Sequence, residues 1–315
     1  MARRRAAAVA SPSPISTSSL FRLARGLLIL LGVLAVVLAM LGGMLTYRVV
    51  TTHNDTETVT PATYLLSNYV SLNFKDKQGG EHEGWLLLGL KGAPVVILCH
   101  GYNANRSDML SLGTVLRENH FNVYIFNFGG PKAKEGFSNL GARQADDLSA
   151  AIETLGKQPA VNPNRVGLFG TTLGAYAALA VAERTPLVKA IAVDSIYEKP
   201  SQFFDTQIDE TLGGSSPVFH LLTEAEFRLF TWGSKPYPLG ADLSHLEKVP
   251  KLFISGRDKP ALAQITEVLY NLAPQPKKLL VLERSQSVLT SGAEKNEYEG
   301  QILNFFLQNL PLRAN

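Results

Sequence analysis

Several residue types that carry common chemistries are scarce in this sequence of 315 residues. It has one cysteine, Cys99, so no disulfide can form within the chain. A cysteine inside an apolar run is typical of a buried side chain and not of a nucleophile. Six histidines are present, and His245 is the last of them. Because histidine is the usual general base near neutral pH, the chain beyond that residue lacks the ordinary proton acceptor of hydrolytic enzymes.

Charge is also missing from one long segment. Residues 26–47 (GLLILLGVLAVVLAMLGGMLTY) contain no charged side chain in 22 positions. As a helix this segment would be roughly 33 Å long, enough to cross the ~30 Å hydrocarbon core of a bilayer. A cleaved signal peptide is the alternative, but its apolar part usually has about 7–15 residues and ends at a small-x-small site. The longer run, ending at Met44-Leu45-Thr46-Tyr47, favours an uncleaved single-pass signal anchor.

The first 50 residues contain six arginines and no acidic residue. Five of the arginines precede the apolar run, and Arg48 is the one basic residue between the run and Lys75. This asymmetry predicts a cytoplasmic N-terminus and an extracytoplasmic globular domain. The rest of the chain carries 24 Lys and Arg against 27 Asp and Glu. That balance offers no basic surface for nucleic acid, whereas the N-terminal arginines can contact anionic lipid headgroups.

Composition divides the chain into four parts. We expect a cytoplasmic tail at 1–25, a membrane helix at 26–47, a polar linker at 48–66 and a globular domain at 67–315. In the globular domain, short β-rich runs alternate with helical stretches, which predicts a mostly parallel central sheet with helices on both faces. Residues 196–249 break this alternation and are too long for a simple connection, so we expect a helical cap insertion. Its aromatic residues should lie mainly between the cap and the body.

The individual elements follow from hydrophobic periodicity. The segment 95–99 is entirely apolar and predicts a central strand buried on both faces. The first two strands are expected to be antiparallel, and Ser107 is the expected N-cap of the first helix. The predicted strands cover 69–74, 85–90, 95–99, 122–126, 165–169, 190–193, 251–255 and 279–282. The predicted helices cover 108–119, 145–155, 173–184, 260–273 and 298–310.

The sequence Gly170-Thr171-Thr172-Leu173-Gly174 falls between a predicted strand and a helix. A G-x-S-x-G sequence in this context forms a nucleophile elbow, a strained turn that lifts a serine hydroxyl above the sheet. Here the serine position holds Thr172, whose β-branch restricts its rotamers in a tight turn. Thr172 either acts as a nucleophile or fills the turn as a small side chain. The segment lacks the Lys-Ser/Thr ending of a phosphate-binding loop.

Two further segments accompany this turn. His100-Gly101-Tyr102 follows the apolar strand, and Phe253-Ile254-Ser255-Gly256-Arg257-Asp258-Lys259-Pro260 combines a strand with a loop. Together and in this order, the three segments resemble those of the α/β-hydrolase superfamily, in its branch of serine esterases and peptidase-like hydrolases. The resemblance covers residues 67 to 311 and implies the α/β-hydrolase fold with a cap insertion.

The resemblance also implies site roles. Thr172 would occupy the nucleophile position, and the backbone N–H groups of Tyr102 and Leu173 would form the oxyanion hole. The usual position of the triad acid holds Lys259, so Asp258, one residue earlier, is the acid candidate. Asp194 is a second candidate, because some members of the superfamily carry the acid after the preceding strand. The usual position of the histidine falls near Ser287, which cannot act as a base.

A degenerate triad therefore favours a membrane-anchored protein without standard serine-hydrolase activity, a pseudoenzyme that binds a ligand or a partner. An acyl group or another small molecule in a pocket under the cap is the expected ligand. The alternatives are an ester or amide hydrolase with a rearranged site, in which Thr172 is served by His100 or a cap histidine, and a structural partner in a membrane complex. His82 and His120 are expected in exposed turns. No spacing of Cys and His indicates a metal or another cofactor.

Overall fold

The computed structural model describes residues 17–51, 59–64, 66–129, 139–233, 237, 239–240, 243–285 and 291–312. Its centre is a sheet of eight strands, accompanied by a separate two-stranded hairpin, β2–β3. The ten strands are β1 (Tyr69–Ser71), β2 (Phe74–Lys75), β3 (Glu81–His82), β4 (Gly84–Leu87), β5 (Val95–Cys99), β6 (Asn122–Phe126), β7 (Val166–Thr171), β8 (Val188–Asp194), β9 (Lys251–Gly256) and β10 (Lys277–Leu282).

The strand order in the large sheet is β1-β4-β6-β5-β7-β8-β9-β10. β1 and β4 pair antiparallel, as expected, and β4 is also antiparallel to β6. The remaining neighbours are parallel. All five residues of β5 are buried, because a parallel strand in the middle of a sheet is covered on both faces. Cys99 is among them, and burial raises the pKa of its thiol, consistent with a structural role.

Eight α-helices occur in the described part of the chain. They are α1 (Thr17–Val50), α2 (Leu110–Glu118), α3 (Ala142–Leu155), α4 (Leu173–Ala182), α5 (Pro200–Leu212), α6 (Pro217–Phe230), α7 (Pro260–Leu272) and α8 (Ala293–Asn309). Apolar residues of α2 and α8 share one core cluster, and those of α3, α4 and α7 share the other. The sheet therefore has helices on both faces, and the predicted α/β architecture is confirmed.

Two local predictions differ from the structure. α2 is preceded by a 3-10 turn at Arg106–Met109, whose N-cap is Asn105, and the N-cap of α2 itself is Met109 and not Ser107. The Asn105 side chain accepts a hydrogen bond from the Ser107 N–H, which places Ser107 inside the turn. The last helix begins at Ala293 and not at residue 298. Its first turns consist mainly of polar residues, which give no apolar periodicity in the sequence.

The predicted cap segment contains α5 and α6, and the end of α1 packs against both helices. The Thr46 hydroxyl donates a hydrogen bond of 2.9 Å to the carboxylate of Glu226 on α6. Val49 and Val50 are buried in the same core as the cap. Residues 48–50, expected in the linker, thus continue the helix. Four aromatic residues of the predicted cap are buried, Tyr197, Phe203, Phe204 and Phe227, whereas Phe230 and Trp232 are exposed.

Candidate functional site

The turn between β7 and α4 is strained at one residue. Thr172 has φ 43° and ψ −105°, a conformation that L-residues rarely adopt and that a β-branched side chain makes more costly. The turn can close because Gly170 and Gly174 have no Cβ. A Cβ on Gly174 would lie 2.3 Å from the Cys99 carbonyl oxygen, and one on Gly170 would lie 2.3 Å from the carbonyl oxygen of Gly174. The sharp geometry of a nucleophile elbow is therefore present.

Three hydrogen bonds fix Thr172 in this turn. Its Oγ1 accepts a bond of 3.0 Å from the backbone N–H of Tyr102. Its own N–H donates to the Asp194 carbonyl oxygen, and its carbonyl oxygen accepts from the N–H of Tyr176. The first bond uses the N–H that the resemblance assigns to the oxyanion hole. The second assigned donor, Leu173, is the first residue of α4, where a backbone N–H has no acceptor within the helix.

Both ring nitrogens of His100 are hydrogen-bonded to backbone groups. The Phe128 N–H donates to its Nε2 at 3.1 Å, so the proton of the neutral ring is on Nδ1. Nδ1 in turn donates to the Gly101 carbonyl oxygen at 2.9 Å. Both ring nitrogens thus hold backbone groups, and the side chain is buried. The hydrogen bonds of Thr172 in the described residues are with backbone groups of other residues, which gives no support to a rearranged site that uses His100.

Asp258 lies where the loop after β9 meets the loop after β10. Its Oδ1 accepts a hydrogen bond of 2.7 Å from the Ser285 N–H, and its Oδ2 accepts one of 2.7 Å from the Ser285 hydroxyl. The acid candidate therefore faces the loop in which the superfamily carries its histidine, but a serine is its partner there. Ser285 was not among the predicted site residues, although its loop was. Ser287, the predicted histidine position, lies outside the described residues.

Asp194, the second acid candidate, is buried beneath the site. Its Oδ2 accepts a hydrogen bond of 2.7 Å from the Tyr298 hydroxyl, and its Oδ1 accepts one of 2.8 Å from the Ser195 hydroxyl. Burial, and then the carboxylate of Asp194, raise the pKa of the Tyr298 phenol well above its usual value. Tyr298 therefore remains a neutral donor to Asp194. The two hydroxyl groups thus donate to the Asp194 carboxylate, as a triad histidine would donate to its acid.

A cavity of about 440 Å³ lies above these residues. Its size falls within the usual range for small-molecule sites. The lining is rich in hydroxyl groups and also contains two lysines. Its polar members include Ser107, Ser111, Thr171, Thr172, Ser195, Ser285, Tyr298, Gln207, Lys259 and Lys295, and Phe203 of the cap contributes an aromatic wall. Lys259, which holds the usual acid position, thus faces the cavity, whereas Asp258 is exposed to solvent.

His82 is completely buried, so the expectation that it lies in an exposed turn is wrong. Its Nε2 lies 3.3 Å from Oδ2 of Asp76 and 3.6 Å from Oδ1 of Asp147. Its Nδ1 lies 3.2 Å from the Asn127 carbonyl oxygen and must donate to it. A protonated His82 would bridge two carboxylates and join the β2–β3 hairpin to α3. One ligand atom from each of these three residues lies within 4.8 Å of the others, so the group could also hold a metal ion.

The other described histidines lie elsewhere. His120 is exposed in a turn, as expected, with φ 71°. His220 on α6 forms an ion pair of 2.6 Å with Asp209 on α5 when it is protonated. Nδ1 of His245 lies 3.3 Å from the Glu183 carbonyl oxygen, at a second surface cavity. His53 lies outside the described residues.

The strand order, the elbow and the acid loop together define the class of this protein: it has the α/β-hydrolase fold. No protein-family model matches the chain. The Escherichia coli protein YfhR, which is uncharacterised, is 28% identical over 249 residues, which are 76% of this chain and 81% of that protein.

Two solved structures illustrate the fold. The Pyrococcus furiosus esterase Pf2001 is 17% identical with a TM-score of 0.63, and the match covers 83% of this chain and all of the esterase chain. A membrane phospholipase A described as a bacterial virulence factor is 18% identical with a TM-score of 0.55, and the match covers 91% of this chain and 99% of that one. At these identities the similarity shows the fold alone.

Proposed function

We propose that this protein binds a small polar ligand at the former triad site without hydrolysing it, and that α1 anchors it to a membrane. The observation that carries the first part is the hydrogen bond from the Tyr102 N–H to Oγ1 of Thr172. A nucleophile must give its proton to a base, and the N–H group that contacts this hydroxyl is a donor that cannot accept a proton. The same bond occupies an N–H that an oxyanion would need.

Proton transfer is the step that this site lacks. Asp258 bonds to Ser285, where a hydrolase would present a histidine to its acid. A serine hydroxyl is too weak a base to accept a proton near neutral pH. Removing one member of a triad costs roughly 10⁴–10⁶-fold in turnover. The replacement of two members therefore supports binding as the function of the cavity.

The lining of the cavity favours a polar ligand over a long acyl chain. Hydroxyl groups of serine, threonine and tyrosine can both donate and accept, which suits carbonyl, carboxylate and hydroxyl groups of a small molecule. Lys259 and Lys295 line the cavity together with three acidic residues, Asp108, Asp194 and Glu299, and Lys295 lies 3.9 Å from Glu299, so the wall has no excess of positive charge. The N-terminus of α4 points its positive dipole end at the turn. We therefore expect a small molecule rich in carbonyl and hydroxyl groups.

Membrane anchoring is supported by α1. The segment Leu20–Val50 has a mean hydropathy of 2.8 in its most apolar stretch and is long enough to cross a bilayer. A signal sequence near an N-terminus has the same properties. The packing of Val49 and Val50 into the core of the globular part favours retention of the helix, since cleavage would remove buried residues from that core.

The test is reactivity of the full chain toward a fluorophosphonate and toward p-nitrophenyl butyrate. We expect no labelling and no hydrolysis above background. The variants Thr172→Ser/Ser285→His and Thr172→Ser/Ser287→His restore the missing groups at the two possible positions of the histidine. Labelling of either variant would indicate that the scaffold still holds a usable oxyanion hole. Glycerol and lactate, added in a thermal-shift assay with butyrate for comparison, test the binding of small oxygen-rich ligands directly.

Hydrolysis by the unmodified protein, abolished in Thr172→Ala, would refute the binding hypothesis and establish a hydrolase with a rearranged site. Loss of α1 during maturation, seen as a shortened chain by mass spectrometry, would refute the anchor. These two results are independent of each other.

A further inference from the structure

The outer face of α6 carries apolar side chains that are mostly exposed among the described residues. We define this outer face as Val218, Leu221, Leu229 and the adjoining Trp232. Their exposed fractions are 55%, 72%, 66% and 84%. The helical spacing places Val218, Leu221 and Leu229 on one side, opposite the buried Thr223 and Phe227. Exposed apolar side chains gathered on one face indicate a contact surface, whereas single ones do not.

The position of α6 relative to α1 indicates what this surface contacts. The carboxylate of Glu226 would lie 3.2 Å from a Cβ on Gly42, and it accepts a hydrogen bond from Thr46. The described side chains from Leu20 to Leu41 precede this contact and are almost all exposed. Of these residues, 26–41 carry no charge and make a helix of roughly 24 Å, most of the ~30 Å hydrocarbon thickness of a bilayer, with Arg22 and Arg25 before them. The contact with α6 thus falls in the last turns of the uncharged membrane segment, residues 26–47, close to the bilayer interface.

We propose that the outer face of α6 lies in the interface of the same bilayer that α1 crosses. This inference rests on the membrane anchor proposed above and adds a second contact with the lipid. An amphipathic helix with its apolar side in the headgroup region is a common form of interfacial binding, and tryptophan is enriched at that depth. Trp232, at the end of α6, is suited to that position.

The bilayer is favoured as the occupant because the surface is continuous with α1. The contact of Gly42 and Thr46 with Glu226 joins the two helices side by side, so lipid that surrounds α1 is also next to α6. Glu226 is directed toward α1 and not toward the outer face. The charged side chains of Glu224 and Arg228 pair with each other along α6, which lowers the cost of bringing this helix to an apolar environment.

The same arrangement would place the cavity near the membrane surface. The Tyr102 hydroxyl donates a hydrogen bond of 2.8 Å to the Val49 carbonyl oxygen at the end of α1. The Tyr102 ring packs edge-on against Phe203 of α5, with their centroids 5.2 Å apart. Tyr102 and Phe203 also line the cavity. α1 is therefore connected to the wall of the site through one direct contact, with Tyr102, which in turn packs against Phe203.

Trp232 allows a direct test, since the chain has two tryptophans and Trp85 is buried. The full chain is reconstituted in phosphatidylcholine vesicles with and without lipid brominated near the acyl carbonyls. The emission of Trp232 is obtained as the difference between the unmodified protein and Trp232→Phe. We expect the brominated lipid to reduce this emission at least twofold. An unchanged emission from protein that resists carbonate extraction would overturn the proposed docking and leave the anchor intact.

Substitutions on the outer face provide the second measurement. Leu221→Asp/Leu229→Asp should abolish the quenching of Trp232 while the protein still resists carbonate extraction. The matched control is Leu272→Asp on α7, which changes an equally exposed leucine, 60% accessible, away from this face and should leave the quenching unchanged. Equal quenching in all three proteins would refute a role for α6. Quenching that depends on the density of protein in the vesicles would assign the face to a second copy of the chain instead. Extraction of the unmodified protein by carbonate would refute the anchor itself.

Discussion

The backbone N–H of Tyr102 donates a hydrogen bond of 3.0 Å to Oγ1 of Thr172. This bond joins the loop after β5 to the elbow after β7, at a residue that is strained and buried. It gives the hydroxyl of Thr172 a structural role in holding the two loops together. The role of the hydroxyl can therefore be measured through stability, independently of any activity.

Thr172→Val keeps the shape of the side chain and removes the hydroxyl. The Tyr102 N–H then loses its acceptor in a partly buried place, and we expect a loss of about 1–2 kcal/mol in the free energy of unfolding. Thr172→Ser retains the hydroxyl and is the control, with an expected change below about 1 kcal/mol. Urea unfolding of both variants measures the difference. Equal stability of the valine variant and the unmodified protein would show that the bond contributes nothing.

Gly174→Ala tests the close approach of α4 to the loop after β5. The added methyl group would lie 2.3 Å from the Cys99 carbonyl oxygen and 2.6 Å from that of His100. Backbone atoms cannot move aside as a flexible side chain can, so we expect a loss of more than about 2 kcal/mol.

Gly300→Ala is the matched control, in the middle of α8 with no atom within 4 Å of the new Cβ. It should stabilise the protein by about 0.5–1 kcal/mol, because alanine is a better helix former than glycine. If both alanine variants changed stability in the same direction, the steric account of Gly174 would be wrong.

Strong periodic signals in the sequence led to accurate predictions. The bounds of β5 and β6 match the prediction, because a short run of β-branched, aromatic and other apolar residues between turn residues is typical of a buried strand. The elbow was predicted from Gly170 and Gly174, whose lack of a Cβ is required by contacts that any such turn makes. The α/β-hydrolase fold followed from the order of three short segments.

Residues whose environment depends on distant partners were predicted less well. His82 follows a polar turn and was expected at the surface, but Asp76 and Asp147 approach it from a hairpin and from α3. Ser285 bonds Asp258 through the meeting of two loops, and no spacing in the sequence marks that meeting. The donor at Oγ1 of Thr172 comes from residue 102, so the sequence around the elbow contains no sign of it.

Asp76 and Asp147 are expected to respond to pH in opposite directions. Burial by itself raises the pKa of Asp76, but hydrogen bonds from Gly80, His82 and Gln78 outweigh it and hold the pKa below the usual 3.8. Burial of Asp147 raises its pKa above 3.8, and the attraction of His82 offsets this only in part. A lowered pKa stabilises the fold above pH 3.8, and this contribution is lost as pH falls through the folded-state pKa. A raised pKa gives a stabilising contribution below pH 3.8, and this contribution is lost as pH rises through the folded-state pKa.

The measurement compares Asp76→Asn and Asp147→Asn with the unmodified protein between about pH 3 and pH 7. The stability advantage of Asp76 over asparagine should grow as pH rises above its folded-state pKa. The advantage of Asp147 over asparagine should shrink as pH rises from 3.8 through its raised folded-state pKa. Slopes of the same sign for both substitutions would contradict the arrangement of the two carboxylates around His82.

Gly42 tests the packing of α1 against the cap. A larger side chain there would displace the Glu226 carboxylate, which lies 3.2 Å from the position of a Cβ, and would break its hydrogen bond with Thr46. We expect Gly42→Leu to lower the stability of the globular part by about 1–2 kcal/mol, which corresponds to a fall of roughly 2–8 °C in its melting temperature. Gly32→Leu is the control, since no atom lies within 4 Å of a Cβ at that position. Near-UV circular dichroism of the full chain in detergent follows the melting of the globular part. Equal melting temperatures for the two leucine variants would mean that α1 and α6 are not packed together in solution.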